Sequence, residues 1–370
     1  MSSPSRVLHV LSSLGHGGAE TFTVQLAIWQ SINGYEPSIA YINSASSLGI
    51  DTQFETSLKN YLRLAGIKVY ALDEGNQKGY WRKRLRNLRL VLKHEHPNVL
   101  HIHLGRGLML MLLGGIRIPA IMTIHNVRVG FPPFLFRIFR RLPVRYVAVS
   151  SAVKDVFQSY LDSPIEVIFN GLDFSKLEPK HHRNLKESVN VIGVGTARAQ
   201  KNYSLLIRAT RLLLSMGNLD HSWTIRVAGG GPQFDELVDE CARVGVSDVL
   251  TFLGPRTDVP ELLAESDIFV MSSDYEGMPI AMLEAMYCGL AVATTDFAGV
   301  NDLVENQVTA LISPVGDAQA LANNLHAIIS NDEFRHRISS AGQLRAQEFS
   351  IENSGKNYAR AYQRACDQKK

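Results

Sequence analysis

Short apolar runs recur along the whole chain, separated by longer stretches in which apolar residues return every third or fourth position. In the first half the runs at 7–11, 38–42, 69–72, 99–103, 120–124, 146–149 and 166–169 each predict a strand. The stretches between them, such as 19–31, 51–64 and 81–94, carry helical periodicity. Apolar runs of this kind suit strands covered on both faces, and strands alternating with helices predict a doubly wound parallel sheet. The alternation stops at Asn170-Gly171-Leu172-Asp173 and the polar run 179–188, which read as a turn and a linker over 171–189. It resumes with runs at 191–194, 224–227, 250–253, 268–271, 290–294 and 310–312. The pattern predicts an α/β chain of two doubly wound, Rossmann-like parallel-sheet domains, 1–170 and 190–349, facing a cleft that is the default ligand site. Residues 317–370 read as amphipathic helix.

At 370 residues the chain exceeds one ordinary core, in keeping with two domains. Its 45% hydrophobic and 20% charged residues are those of a soluble globular protein. Cys241, Cys288 and Cys366 are few and far apart, so neither a disulfide framework nor a cysteine metal cluster is expected, and a reducing compartment fits. No long apolar core follows a basic start, and the longest apolar run, 108–116, is too short to span a bilayer. A cytoplasmic protein is expected.

The net charge of +3 conceals an asymmetry. Residues 78–145 hold 14 Lys or Arg against one acidic residue, Glu95, a local charge of +13 that leaves −10 for the remainder. Within this segment Trp81, Leu85, Leu88 and Leu92 recur at helical spacing among Arg82, Lys83, Arg84, Arg86, Arg89 and Lys93. Further on, FPPFLFRIFRRLPVR adds Phe134, Arg137, Arg140, Arg141 and Arg145. Basic amphipathic segments with aromatic anchors suit an anionic membrane surface, so a peripheral position at its inner face, or contact with an anionic acceptor, is expected. A solvated basic face over an ordinary core contact is the alternative. No nucleic-acid motif accompanies the charge, and nucleic acid is not expected as a partner.

Candidate chemistry gathers where predicted strands end. After the strand at 268–271 a polar loop carries Glu276, a helix starts near Pro279, and Glu284 lies near its second turn. The first-turn amides of Met278, Ile280 and Ala281 lack helical partners, so this helix start can hold an anionic group such as pyrophosphate. The two carboxylates, which only accept hydrogen bonds, suit hydroxyl-rich partners. After the first strand, SSLGHGGAE places Gly15, Gly17 and Gly18 at a helix start, where the backbone can approach a ligand closely. His101 and His103 close one strand and His125-Asn126 another. His101 and His103 are expected to point to opposite faces, which disfavours a shared metal. In the second half GVGTARAQK carries Arg198 and Lys201, and GGGP spans 229–232.

EGMPIAMLEAM, followed by a glycine and a strand, resembles the E-x7-E segment of retaining glycosyltransferases of the GT-B fold, family 4 (glycosyl transferases group 1). GGAE, T-x-H-N, the Arg198–Lys201 segment, GGGP and Phe252-Leu253-Gly254 with Arg256 follow in the order that resemblance implies. One departure is Thr196, where many members carry Arg directly after the glycine; Lys201 is the safer cation. The resemblance implies a catalytic group of Glu276, His125, Lys201 and Arg198. It implies donor contacts from Gly17, Gly18, Gly230, Gly277, Met278, Ile280, Ala281 and Glu284. It further implies a nucleoside-diphosphate sugar donor, a glycan or lipid-linked acceptor, retention of configuration, and a final helix, about 350–370, packed on the first domain. The chain has no Asp-x-Asp, so neither a metal nor another cofactor is expected. The expected activity is sugar transfer in polysaccharide or lipopolysaccharide assembly. The alternatives are another GT-B nucleotide-sugar enzyme, such as a 2-epimerase or sugar-phosphate synthase, and a non-catalytic membrane-associated binder of nucleotide sugar.

Overall fold

The structure, a computed structural model, describes residues 5–15, 17–48, 52–73, 80–103, 105–128, 135–179, 188–217, 219 and 222–367. The chain divides into two compact units, Met1–Leu172 with Ile351–Lys370, and Asp173–Ser350. Most of the predicted linker run, 180–187, lies outside the described residues.

The first unit holds β1 (Arg6–Leu11), β2 (Glu36–Tyr41), β3 (Lys68–Ala71), β4 (Val99–Ile102), β5 (Ala120–Ile124), β6 (Val144–Ala148) and β7 (Ile165–Val167). They form a parallel sheet in the order β3-β2-β1-β4-β5-β6-β7. The second unit holds β8 (Ser188–Val194), β9 (Ser222–Ala228), β10 (Leu250–Gly254), β11 (Ile268–Met271), β12 (Ala291–Thr295) and β13 (Leu311–Ser313). Their order is β10-β9-β8-β11-β12-β13, again parallel throughout. Each predicted strand has its counterpart, with ends shifted by up to three residues. The predicted helical tail resolves into Ala318–Ser330, Asp332–Ala346 and Ile351–Asp367. Asp317 and Asn331 cap the first two, accepting from the amides of Ala320 and Phe334 at 2.9 Å.

In each sheet the strand order reverses once, between β1 and β4 and between β8 and β11. At such a point the loops leaving two neighbouring strands turn to opposite faces and leave a crevice at their carboxyl ends. Burial explains why the strands lack polar alternation. The second sheet places Val191, Ile225, Val227 and Val270 against Leu205, Leu206, Leu213, Leu325 and Ile328 of its helices. Among the described residues no helix is long and apolar enough to cross a membrane.

The final helix, Ile351–Asp367, is part of the first unit, where it packs on the helix Gly18–Ile32 and on β4 and β5. Tyr358, Ala361 and Tyr362 join Phe22, Leu26 and Trp29 in one buried cluster. The approach is close enough that a Cβ on Gly355 would stand 2.3 Å from the Trp29 ring. Gly355→Ala gains about 1 kcal/mol of helix propensity but drives a methyl into a ring held on all sides. We therefore expect a net loss of about 1–3 kcal/mol, seen as a lower denaturation midpoint. An unchanged or higher midpoint would show that the two helices separate freely.

Candidate active site

In the second unit two loops leave the reversal point side by side, after β8 and after β11. They are laced together: the Asp274 amide donates to the Gln200 carbonyl at 2.9 Å, and Ser272 Oγ to the Lys201 carbonyl at 2.8 Å. Asn202, in the left-handed region at φ 44°, caps the helix Tyr203–Met216 and donates to Asp274 at 2.7 Å. This lacing brings Lys201 and Glu276 into contact, with Nζ 2.7 Å from Oε1. Glu276 is buried and also accepts from Ser273 Oγ at 2.7 Å and Gln200 Nε2 at 3.0 Å. A pair this enclosed offsets much of its attraction against lost hydration, and removing one partner strands a buried charge.

The helix Ile280–Tyr287 starts one residue later than predicted, with Pro279 at its cap. Met282 and Leu283 donate to the Pro279 carbonyl. Ile280 and Ala281 have no helical acceptor by position, and Gly277 and Met278 lead into this start. Glu284 sits one turn on. No hydrogen bond or ion pair reaches its carboxylate among the described residues, and burial pushes its pKa up to about 7. The two glutamates are therefore unlike: one is ion-paired, the other is a carboxylate that burial makes reluctant to ionise. Arg198, at the cap of the turn Ala199–Lys201, is exposed and meets no acceptor among the described residues.

The glycines of these loops fit against one another. A Cβ on Gly229 would stand 2.0 Å from the Gly195 carbonyl, and one on Gly231 2.6 Å from that of Ala197, each at a φ near +150°. Gly230, the glycine picked out from the sequence, lies against the Pro255 ring and accepts from the Ala197 amide at 2.9 Å. A Cβ there would stand 2.7 Å from Pro255 Cγ, so all three glycines are tightly packed. Arg256 is exposed and paired with Asp258.

In the first unit the reversal point carries GGAE. Gly17 caps the helix Gly18–Ile32, and a Cβ there would stand 2.2 Å from Glu20 Oε2. Glu20 folds back over it to accept from Ser12 Oγ at 3.1 Å. His125 follows β5. One sequence expectation fails: side chains alternate along a strand, so residues two apart share a face, and the His103 ring lies 4.0 Å from that of His101, with the His103 amide still bonded to Val10 of β1. His9, the register partner of His101 on β1, joins them, and nitrogens of the three lie within 4.8 Å of one another. Hydrogen bonds occupy these nitrogens among the described residues. Both of His101 face hydroxyls at 2.8 Å, Tyr362 and Thr123, and those of His9 face Gln30 and His103. Burial lowers all four imidazole pKa values, those of His9 and His125 to about 4. Gln200, Ser273, His9 and Gln30 were missed from sequence. Only Ser273, three residues before Glu276, left a local sign.

The basic segment is less uniform than its sequence. In the helix Tyr80–Glu95, Arg84 points inward with Leu88 and Val91, donating to Asn43 at 2.5 Å and Asp73 at 3.2 Å. It is a core ion pair, so its expected surface role is corrected. Phe136 and Phe139 of the helix Leu135–Phe139 are likewise buried, against Phe157 and Tyr160. Phe134 lies outside the described residues. Trp81, Arg82, Arg137, Arg140 and Arg141 are exposed, with Arg140 paired to Asp162. Arg82, Arg86, Arg89 and Lys93 surround Leu85 and Leu90 in an open hollow of about 350 Å³.

Residues 16–176 match the family model described as Glycosyltransferase Family 4, and residues 174–345 match Glycosyl transferases group 1. The chain belongs to the family 4 glycosyltransferases of the GT-B fold. This glycosyltransferase is 29% identical over 221 residues to the lipopolysaccharide core biosynthesis mannosyltransferase LpsB of Rhizobium meliloti (strain 1021), covering 55% of the chain and 62% of LpsB. It is 22% identical, over 94% of its length and 95% of the relative's, to a Campylobacter jejuni enzyme. That enzyme is named GalNAc-alpha-(1->4)-GalNAc-alpha-(1->3)-diNAcBac-PP-undecaprenol alpha-1,4-N-acetyl-D-galactosaminyltransferase. The crystal structure of Anabaena Alr3699/HepE in complex with UDP shares its fold, with a TM-score of 0.76 at 20% identity over 96% of this chain and 99% of that one.

The Glu284 carboxyl makes the glycosyltransferase's stability depend on pH. Its folded pKa lies above the unfolded value, so the folded protein keeps a proton that the unfolded chain releases. Stability from this group is full below about pH 4.5 and falls until about pH 7. Glu284→Gln removes the dependence. We expect the variant to match the parent near pH 4 and to exceed it by about 1–3 kcal/mol at pH 8, measured by chemical denaturation. A variant less stable at pH 8 would mean that Glu284 is ionised and partnered.

Proposed function

We propose that this glycosyltransferase moves a sugar, with retention of configuration, from a nucleoside-diphosphate sugar to a hydroxyl of a lipid-linked or cell-surface glycan. The observation that carries the reading is the pairing of Glu276 with Lys201 just ahead of a helix start that carries a half-buried Glu284, without a partner among the described residues. Glu284 accepts from the ribose hydroxyls, which stabilises its ionised form. The helix-start amides of Ile280 and Ala281, with Arg198 and Lys201, meet the diphosphate and carry its charge as it departs. Glu276 keeps acceptor capacity beyond its three bonds and takes a hydroxyl of the donor sugar. No divalent cation is required where side-chain cations and amides already face the phosphates. In the first unit His125 Nδ1, buried and unpartnered, accepts from a substrate hydroxyl. The Campylobacter relative's undecaprenol-diphosphate name supports an acceptor of the same chemistry.

A thermal-shift panel of UDP-, GDP- and ADP-sugars identifies the donor, because a ligand that binds only the folded state stabilises it. With that donor, Lys201→Ala lowers turnover by about a hundredfold, chelator leaves the rate unchanged, and NMR of the product shows the donor's anomeric configuration. Unchanged turnover in Lys201→Ala overturns the assignment, and an inverted product overturns retention.

We further propose that the exposed basic face of the helix Tyr80–Glu95 docks on an anionic membrane surface, where a lipid-linked acceptor resides. Arg82, Arg86 and Lys93 supply charge, and Trp81 and Leu90 supply apolar contact. At about 1 kcal/mol each, replacing the three cations by Ala weakens flotation with anionic vesicles by about a hundredfold. Equal, negligible flotation with anionic and neutral vesicles would sink the idea.

A further inference from the structure

The first unit contains a buried line of hydrogen bonds that ends on His125. His125 Nε2 lies 3.0 Å from His103 Nδ1, and His103 Nε2 lies 3.1 Å from His9 Nδ1. His9 Nε2 lies 2.8 Å from Gln30 Oε1, and Gln30 Nε2 donates to the Tyr362 hydroxyl at 2.9 Å. Tyr362 lies 2.8 Å from His101 Nδ1, and His101 Nε2 2.8 Å from Thr123 Oγ1, which meets Tyr358 at 3.0 Å.

Direction follows from donor and acceptor counting. Gln30 Oε1 only accepts, so His9 carries its proton on Nε2 and offers a lone pair at Nδ1. His103 must then give its Nε2 proton to His9 and accept at Nδ1, which in turn requires a proton on His125 Nε2. The Thr23 hydroxyl gives its one proton to the Ala19 carbonyl at 2.7 Å and so supplies none to His103 Nδ1, 3.2 Å away. His125 is left with a bare lone pair at Nδ1, the ring nitrogen that is buried without a partner. The opposite direction would leave a buried N–H without an acceptor there, the rarer defect in folded proteins.

We propose that His103, His9 and Gln30 are positioning residues for sugar transfer: they hold the His125 proton on Nε2 and so present Nδ1 as an acceptor to a substrate hydroxyl. This rests on the reading that His125 meets the substrate. The polarity of the residue at the end of the line is thereby set by an amide on the helix Gly18–Ile32, three hydrogen bonds away. Gln30 is the element that breaks the symmetry, because a line of imidazoles alone runs equally well in either direction.

The test reads the proton directly. Long-range proton–nitrogen correlation spectra of histidine-labelled protein, with His125→Gln to assign the signal, show His125 protonated on Nε2. In Gln30→Met no acceptor faces His9, and the His125 signals move towards the mixed or Nδ1-protonated form. With the donor from the thermal-shift panel, kcat then falls by about tenfold or more at unchanged donor KM, as when a buried partner no longer fixes a catalytic imidazole. Gln30→Glu, whose neutral carboxyl accepts from His9 and donates to Tyr362 as the amide does, restores both the His125 signals and kcat. A parent protein with the proton on Nδ1, unchanged His125 signals in Gln30→Met, or one transition metal per chain overturns the proposal. Signals that move in Gln30→Met while kcat stays, with His125→Gln equally active, place the fault in the reading that His125 meets the substrate.

Discussion

Each unit depends on one constraint: parallel strands joined by helical crossovers of a single hand, with one reversal of strand order. The reversal cannot be packed shut, because the loops from the two strands beside it go to opposite faces. Between β1 and β4, and between β8 and β11, the chain is left with carboxyl-end space that side chains and helix starts can line. GGAE and the histidines stand at the first opening, and Lys201, Glu276 and Glu284 at the second. Glycine is needed where backbones crowd at that end. Gly229 and Gly231 admit neighbouring carbonyls where any side chain would collide.

The two openings handle charge in opposite ways. In the second unit a full ion pair is kept, Lys201 with Glu276, supported by Ser273 and Gln200. Beside it Glu284 meets no partner among the described residues, and burial raises its pKa. In the first unit four imidazoles lie together, and burial lowers every one of them, so the cluster holds no net charge at neutral pH. Neutral imidazoles are both donors and acceptors, which is what lets them link into a line. Acid therefore works against the first unit, as protons bind histidines that folding prefers bare, whereas base works against the second until a hydroxyl-bearing ligand meets Glu284.

The basic segment shows how one run of charge serves two ends. Arg84 is spent inside, tying the helix Tyr80–Glu95 to Asp73 and Asn43. Its neighbours Arg82, Arg86 and Lys93 are left on the outer face. The aromatic residues of the later basic stretch divide in the same way: Phe136 and Phe139 fill the core, while Arg137 and Arg141 remain at the surface.

The strands, their parallel class and the two-sheet organisation were legible in the sequence, because burial on both faces writes itself as unbroken apolar runs. The motif residues at strand ends were legible too, since glycines and a helix start are local features. Tertiary structure alone decided who meets whom. Nothing local to RVLHVL announces that His9 will face His101 across a strand pair, or that the His125 ring from the next strand's end will stack on His103. Helical periodicity placed Arg84 among surface arginines, and only the buried Asp73 explains its position inside. Glu276 and Glu284 look equivalent eight residues apart, yet one is paired and one is not, because the lysine that separates them in character comes from the loop of another strand. Hydrophobic burial has a period and can be read along one segment. Hydrogen-bond polarity and charge pairing depend on partners that only the folded chain brings together.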